Sequence, residues 1–189
     1  MIRPSFLTIM NKLKEERSYV EGSLSAAVLA YGKDILLSDE FRKLKDVSHH
    51  GENSNYDHVM GVCLIALNMA RHHHYKIHVS SLVRAALLHD YFGYDWHVKP
   101  HPPHHATKHA HYAAEKAKAE FGLNEIEEDA IRKHMWPLAN WFPKYKESWL
   151  VTQADKRATW YEWRGKRYFV KEREEIEEGL KQSLSPSLQ

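Results

Sequence analysis

His89 and Asp90 close the segment SSLVRAALLHD, and both side chains are competent to bind a divalent metal. Leu82, Ala85, Ala86 and His89 recur at helical spacing. The histidine therefore continues the apolar face of a short buried helix that runs from Ser80 to Asp90, with Ser80 or Ser81 as its N-cap. An aspartate at the end of such a face calls for a partner, because a buried carboxylate is rare unless paired or metal-bound. A helix C-terminus also carries partial negative charge and favours a cation. The dipeptide alone is weak evidence, since the same two residues are ordinary where a helix end reaches solvent.

The pattern recurs along the chain. His58, Val62, Ile65 and Met69 fall on one stripe of a long helix, and His109 and Ala113 share a face in the Ala-rich stretch 106–121. Ile126, Ala130 and His134 form another stripe, and Val151, Asp155 and Ala158 a further one. A single histidine on an apolar face is more often a hydrogen-bonded core residue than a ligand. Taken together, His58, His89, Asp90, His109, His134 and Asp155 would converge if those stripes face one core, as in helical bundles that build metal sites from inward side chains. Imidazole with carboxylate suits Zn, Mn, Fe, Co, Ni or Mg. This donor set is larger than a single structural zinc needs and suits two ions with positions left open for water and substrate.

The elements that must position these residues are all helical. Residues 1–31 read as one or two helices, with Ser23-Leu24-Ser25 restarting an apolar pattern and Gly32 as a stop. A short helix follows over Asp39–Asp46, then a polar loop, Val47 to Asn55, that leads into the His58 helix. That helix ends near His72-His73-His74, whose side chains point in different directions and cannot share one ion. Tyr91 to His105 holds Gly93, Pro100, Pro102 and Pro103 and reads as a long loop of the kind that forms lids and binding sites. Gly122 ends the Ala-rich helix, Asn124 with Glu127 resembles a capping box, and Pro137 ends the His134 helix. Ser148 starts the Asp155 helix, and the charged run from Tyr168 to Lys181 reads as a helix with a solvated face. No alternating strands, βαβ rhythm or Gly-rich phosphate loop appears. The fold class is therefore all-α, a single helical bundle of seven to nine helices with the metal site in its core. The segmentation expected is 1–40 as an N-terminal helical part, 41–165 as the central domain and 166–189 as a charged helix and tail.

Composition bounds the function. The 189 residues suffice for one domain with a real core, and 43 % are hydrophobic. A formal net charge of +2 gives no default for nucleic acid as a partner. The single cysteine, Cys63, reads as a small core hydrophobe, and no disulfide can form within one chain, which points to a reducing, cytoplasmic compartment. No apolar run reaches membrane-spanning length, and the first residues lack the apolar core of a signal peptide. Fifteen histidines placed mid-chain rather than at a terminus argue for metal chemistry over a tag.

The order His … His-Asp … Asp resembles the HD-domain superfamily of metal-dependent phosphohydrolases, over about Leu44 to Trp163. HHGENSNYDH resembles the entry to the first ligand, LVRAALLHD the motif helix, HHATKHAHYAAEKA and AIRKHMWPL the two histidine helices that follow, and SWLVTQADK the last. The resemblance implies a shared four-ligand site of His58, His89, Asp90 and Asp155, with His109 and His134 as the additions of members that hold two metals. It implies one or two divalent ions as cofactors. Three departures set the chain apart from the cyclic-dinucleotide branch: Tyr91-Phe92-Gly93 stands where a lysine follows the dipeptide, no second histidine adjoins His134, and the Gly-Tyr-Pro motif is missing. The closest likeness is to small bacterial HD proteins of undefined substrate.

The reaction so implied is hydrolysis of a phosphate ester, with a nucleotide or related small molecule as the partner, by metal-activated water. Asp90 would bridge or orient the metals, and Lys99, Lys108, Lys133 or Lys156 could meet the phosphate. His50 and His105 could orient ligands or transfer protons. Two rivals stand beside it: a di-iron oxygenase of the same superfamily, and a non-catalytic metal-binding signalling module. A homodimer is compatible with the N-terminal helices.

Overall fold

The computed structural model describes residues 17–47, 54–94, 105–138 and 141–184, without the side chains of 105–107. Among these residues lie eight α-helices, one 3₁₀ turn and no strand, so the protein is an all-α bundle as its periodicity predicts. The helices are α1 (Leu24–Leu36), α2 (Asp39–Arg42, running on into the 3₁₀ turn Lys43–Asp46), α3 (Asn55–His72) and α4 (Val79–Leu88). They continue as α5 (His105–Phe121), α6 (Glu125–Lys133), α7 (Lys146–Trp163) and α8 (Val170–Leu184). No helix among the described residues is long and apolar enough to cross a membrane.

The centre of the bundle is α3. It opens on a capping box, in which the Asp57 amide donates to the Ser54 hydroxyl and the Ser54 amide donates back to the Asp57 carboxylate. Val59, Val62, Cys63, Leu64, Ala66 and Leu67 are all fully buried, so the helix is apolar nearly all round, as an enclosed helix must be. Helices α4 and α7 pack most extensively against it, α6 packs on both α4 and α7, and α5 packs on α6. Small residues let these helices approach: Ala85 and Ala86 on α4, Ala113, Ala114 and Ala117 on α5, Ala154 and Ala158 on α7, all buried. Leu82, Leu87 and Leu88 interdigitate among them, each fully buried and each worth about 2 kcal/mol of hydrophobic stabilisation.

Several local expectations change in the tertiary structure. The N-cap of α4 is His78, not Ser80 or Ser81, and its amide donates to Oε1 of the buried Glu147 on α7 at 2.7 Å. A carboxylate from another helix thus replaces the local cap, while Ser81 instead accepts from Asn124 Nδ2 at 2.9 Å. Gly32 does not stop α1, which runs on to Leu36. A Cβ at Gly32 would lie 2.5 Å from Leu87 Cδ1, so the glycine is where α4 comes closest. Helix α6 ends at Lys133, before Pro137, and α7 begins at Lys146 rather than Ser148, whose hydroxyl donates to Asp129 on α6 at 2.7 Å. The charged helix α8 is docked rather than wholly solvated: Ile176 and Leu180 are buried and it packs on α1. Tyr56 donates to Glu177 at 2.9 Å and fastens the same helix to α3. Helical readings over 1–16, and those of the loop over 48–53 and 95–104, lie outside the described residues.

Candidate metal centre

Two helices end in the same way. His89 is the C-cap of α4 and His134 the C-cap of α6. His89 Nδ1 lies 2.8 Å from the Ala86 carbonyl, and His134 Nδ1 lies 2.8 Å from the Ile131 carbonyl. A carbonyl can only accept, so both Nδ1 atoms carry their proton. Each histidine satisfies a carbonyl left over in the last helical turn and turns its Nε2 lone pair inward. Burial opposes protonation at both: it lowers the pKa of His89 and brings that of His134 down to about 4, with His89 adding repulsion there. Both imidazoles are neutral at pH 7 and present a lone pair.

His58 reaches the same place from the first turns of α3, and its support is a carboxylate. Its Nδ1 lies 3.1 and 3.0 Å from the two oxygens of Glu162 on α7. Its Nε2 lies 3.3 Å from Asp155 Oδ1 and 4.0 Å from Asp90 Oδ2. Burial opposes its charge, but the hydrogen bonds to Asp155 and Glu162 outweigh it and raise the pKa of the metal-free ring to about 10. Burial likewise works against the Asp155 anion, yet the His58 hydrogen bond and the surrounding histidines bring its pKa down to about 2.

Asp90 stands between two groups of histidines. Oδ2 faces His58 at 4.0 Å and His89 at 3.8 Å, while Oδ1 faces His109 at 3.4 Å and His134 at 3.5 Å. His109 and His134 bring their Nε2 atoms within 3.0 Å of each other. His89 Nε2 is buried without a hydrogen-bond partner among the described residues, its nearest carboxylate oxygens being 3.8 and 3.9 Å away.

These spacings fit a bound cation. A metal about 2.1 Å from each donor holds neighbouring donors roughly 3 to 3.5 Å apart in tetrahedral or octahedral geometry. His58, His89 and Asp155 form one group able to hold an ion, and His89, Asp90 and His134 form another, the donor atoms of each lying within 4.8 Å of one another. The structure thus brings together all six of His58, His89, Asp90, His109, His134 and Asp155. His50 lies outside the described residues, as does the side chain of His105, whose backbone opens α5.

Two supporting residues escaped the sequence reading. One is Glu162, which also accepts from the Tyr168 hydroxyl at 3.0 Å. The other is Asn55, 1 % exposed, which donates through Nδ2 to the Asp90 carbonyl at 3.0 Å and holds the dipeptide's backbone. Both carried a readable signal. Glu162 lies two turns after Asp155 on the same face, and Asn55 one turn before His58. Of the lysines considered for phosphate, Lys133 is ion-paired with Asp129, Lys156 donates to the Trp136 carbonyl, Lys108 is exposed, and Lys99 lies outside the described residues. Near the centre, the Phe92 ring stands edge-on to His109 at 6.0 Å, and Tyr94 links Phe92 to Tyr112 as an aromatic wall.

Comparison with protein families matches residues 55–160, more than half of the chain, to the family described as HD domain. That span includes the whole candidate centre short of Glu162. No curated protein matches, and no solved structure matches.

Proposed function

The chain belongs to the HD-domain family, and from that premise we propose that it is a metal-dependent phosphohydrolase acting on a phosphate ester, a nucleotide or a related small molecule. The observation that carries this reading is Asp90, whose two oxygens face two different groups of histidines. His58, His89, Asp90 and Asp155 would hold one divalent ion, and Asp90, His109 and His134 a second. Bound there, such ions lower the pKa of a water and polarise a phosphoryl oxygen.

The chain's own residues do the rest. The Nδ1 hydrogen bonds of His58, His89 and His134 hold the rings in one orientation, so their Nε2 atoms need no reorganisation to meet a cation. Neutral imidazoles at His89 and His134 leave Asp90 and Asp155 as the negative charges that balance it. Asn55 keeps Asp90 in register with His89. Complete or near-complete burial of His58, His89 and His134 excludes bulk water behind the reacting groups and strengthens each electrostatic contact. Lys156, next to Asp155 in sequence, would meet a substrate phosphate by exchanging its contact with the Trp136 carbonyl, and Phe92, Tyr94 and Tyr112 would offer an aromatic wall to the organic part.

The test is elemental analysis of untagged protein purified without chelator, followed by a hydrolysis screen over nucleotides and phosphomonoesters with Mn, Fe, Co, Ni, Zn or Mg. About two equivalents of metal and release of inorganic phosphate that stops on Asp90→Ala are the expected results. Oxygen uptake by iron-loaded protein with no phosphate release would replace this reading with the oxygenase one. Protein that takes up no metal would end both.

A further inference from the structure

The turn that follows His89-Asp90 runs along one stripe of α5. Asp90 Oδ1 faces His109 Nε2 at 3.4 Å, and the Phe92 ring stands edge-on to the same imidazole. Gly93, in a left-handed conformation of φ 78°, lies under the stem of Lys116, where a Cβ would come within 2.6 Å of Cδ and Cε. Tyr91 reaches furthest along the stripe: its hydroxyl donates to Glu120 Oε2 at 2.5 Å. Lys116 ion-pairs with the same glutamate and sets its ammonium 4.7 Å from the centre of the Tyr91 ring. The ring is fully buried, between Phe41 at 5.8 Å and Phe121 at 5.6 Å. At 3.6 residues per turn, Lys116 and Glu120 each stand within about 20° of His109 around the helix axis.

Helix α5 depends on these contacts for its orientation. It packs on α6 but touches α4 only slightly. Arg84 of α4 donates through Nη2 to the Phe121 carbonyl at 3.2 Å and holds the last residue of α5. Tyr91 and Gly93 hold the stripe that leads back to His109. A hydrogen-bonded helix turns as one body, so a rotation set at Glu120 carries to His109, about three turns away. We propose that Tyr91 is a positioning residue: through Glu120, with Lys116 alongside, it fixes the rotation of α5 that aims His109 at Asp90, and so governs the ion held by Asp90, His109 and His134. The proposal rests on the two-ion reading of the centre. The donors of the other ion, His58, His89, Asp90 and Asp155, come from α3, the end of α4 and α7, so that ion keeps its ligands when the Tyr91–Glu120 contact is lost.

The test is titration of metal-free full-length protein with cobalt(II), followed by visible absorption, together with hydrogen exchange of the same metal-free proteins read by mass spectrometry. Wild type is expected to bind two equivalents in two steps. Tyr91→Phe keeps the ring and its packing. It is expected to weaken the second step about tenfold or more, as loss of a hydrogen bond to a charged group does, to leave the first within about twofold, and to speed exchange in α5 but not in α3 or α4. Glu120→Ala is expected to do the same. Glu120→Gln still offers the hydroxyl an acceptor and is expected to restore most of the second step, which a general loss of stability would not do. A second step unchanged in Tyr91→Phe, or both steps weakened equally, overturns the proposal. Wild type that binds fewer than two equivalents overturns the two-ion reading instead, and exchange then decides the role of Tyr91. Faster exchange confined to α5 in Tyr91→Phe upholds it, and unchanged exchange there ends it.

Discussion

His58 Nδ1 and Glu162 Oε2 lie 3.0 Å apart across a buried contact between α3 and α7, the His58 side chain fully enclosed and that of Glu162 3 % exposed. The contact joins residues 104 positions apart in the chain. It holds the ring so that Nε2 faces Asp155 and Asp90. A carboxylate behind a ligating histidine sets its tautomer and raises its basicity, and loss of such a partner costs about 10- to 100-fold in metal affinity. Glu162→Gln is therefore expected to weaken metal binding by that factor, read by competition with a chromophoric chelator. Tyr168→Phe, which removes one donor to Glu162 but not its charge, is expected to weaken it several-fold less.

His134 and His109 share the Oδ1 side of Asp90, while His58, His89 and Asp155 lie on the other. His134→Ala is expected to reduce metal content from about two equivalents to about one, with helicity unchanged by circular dichroism. His89→Ala removes a donor common to both groups and is expected to lower it further. Equal loss from every ligand variant would mean a single ion.

Acid should destabilise the metal-free protein through its buried histidines. The folded pKa of His134 is lowered, to about 4, from an ordinary value of 6.5. Its contribution is present above pH 6.5 and is lost as the pH falls through about 4, because the unfolded chain takes up a proton that the folded one refuses. His89 acts in the same direction. His58, with its pKa raised to about 10, is protonated in both states below pH 6.5, and Asp155, lowered to about 2, is ionised in both states above about pH 4.5, so neither sets the slope between those values. Urea unfolding in chelator at pH 7 and pH 4 should show wild type losing on the order of 3 kcal/mol more than His134→Gln. A flat difference between the two proteins would contradict a neutral buried His134.

Gly32 tests the packing far from the centre. An added methyl gains roughly 1 kcal/mol of helix propensity, but it meets Leu87 Cδ1 at 2.5 Å and Val83 Cγ1 at 3.2 Å in a fully buried contact. Overpacking of this kind costs about 1–3 kcal/mol, so Gly32→Ala is expected to lower thermal stability by a few degrees. Unchanged metal content would show that the loss belongs to the α1–α4 contact.

Helical periodicity made α3, α5 and α7 legible, and with them the positions of His58, His109 and Asp155 on apolar faces, because a stripe at 3.6-residue spacing is a local property of the chain. The Asn124–Glu127 capping box was legible for the same reason and is present. Periodicity tells which face of a helix is buried but not which helix it meets, so the sharing of Asp90 between two histidine groups is a result of tertiary packing alone. The same holds for Glu147 capping α4 from α7, and for Gly32 serving as a point of close approach instead of a stop. Tertiary packing also buried Ile176 and Leu180 of the charged helix against α1, since two apolar residues in a run of charges carry too little local signal to announce a docked face. Local spacing could nominate each donor of the centre. Only the fold could set the 3–4 Å separations that make them one site, because those distances depend on the axial rotation and approach of helices far apart in the chain.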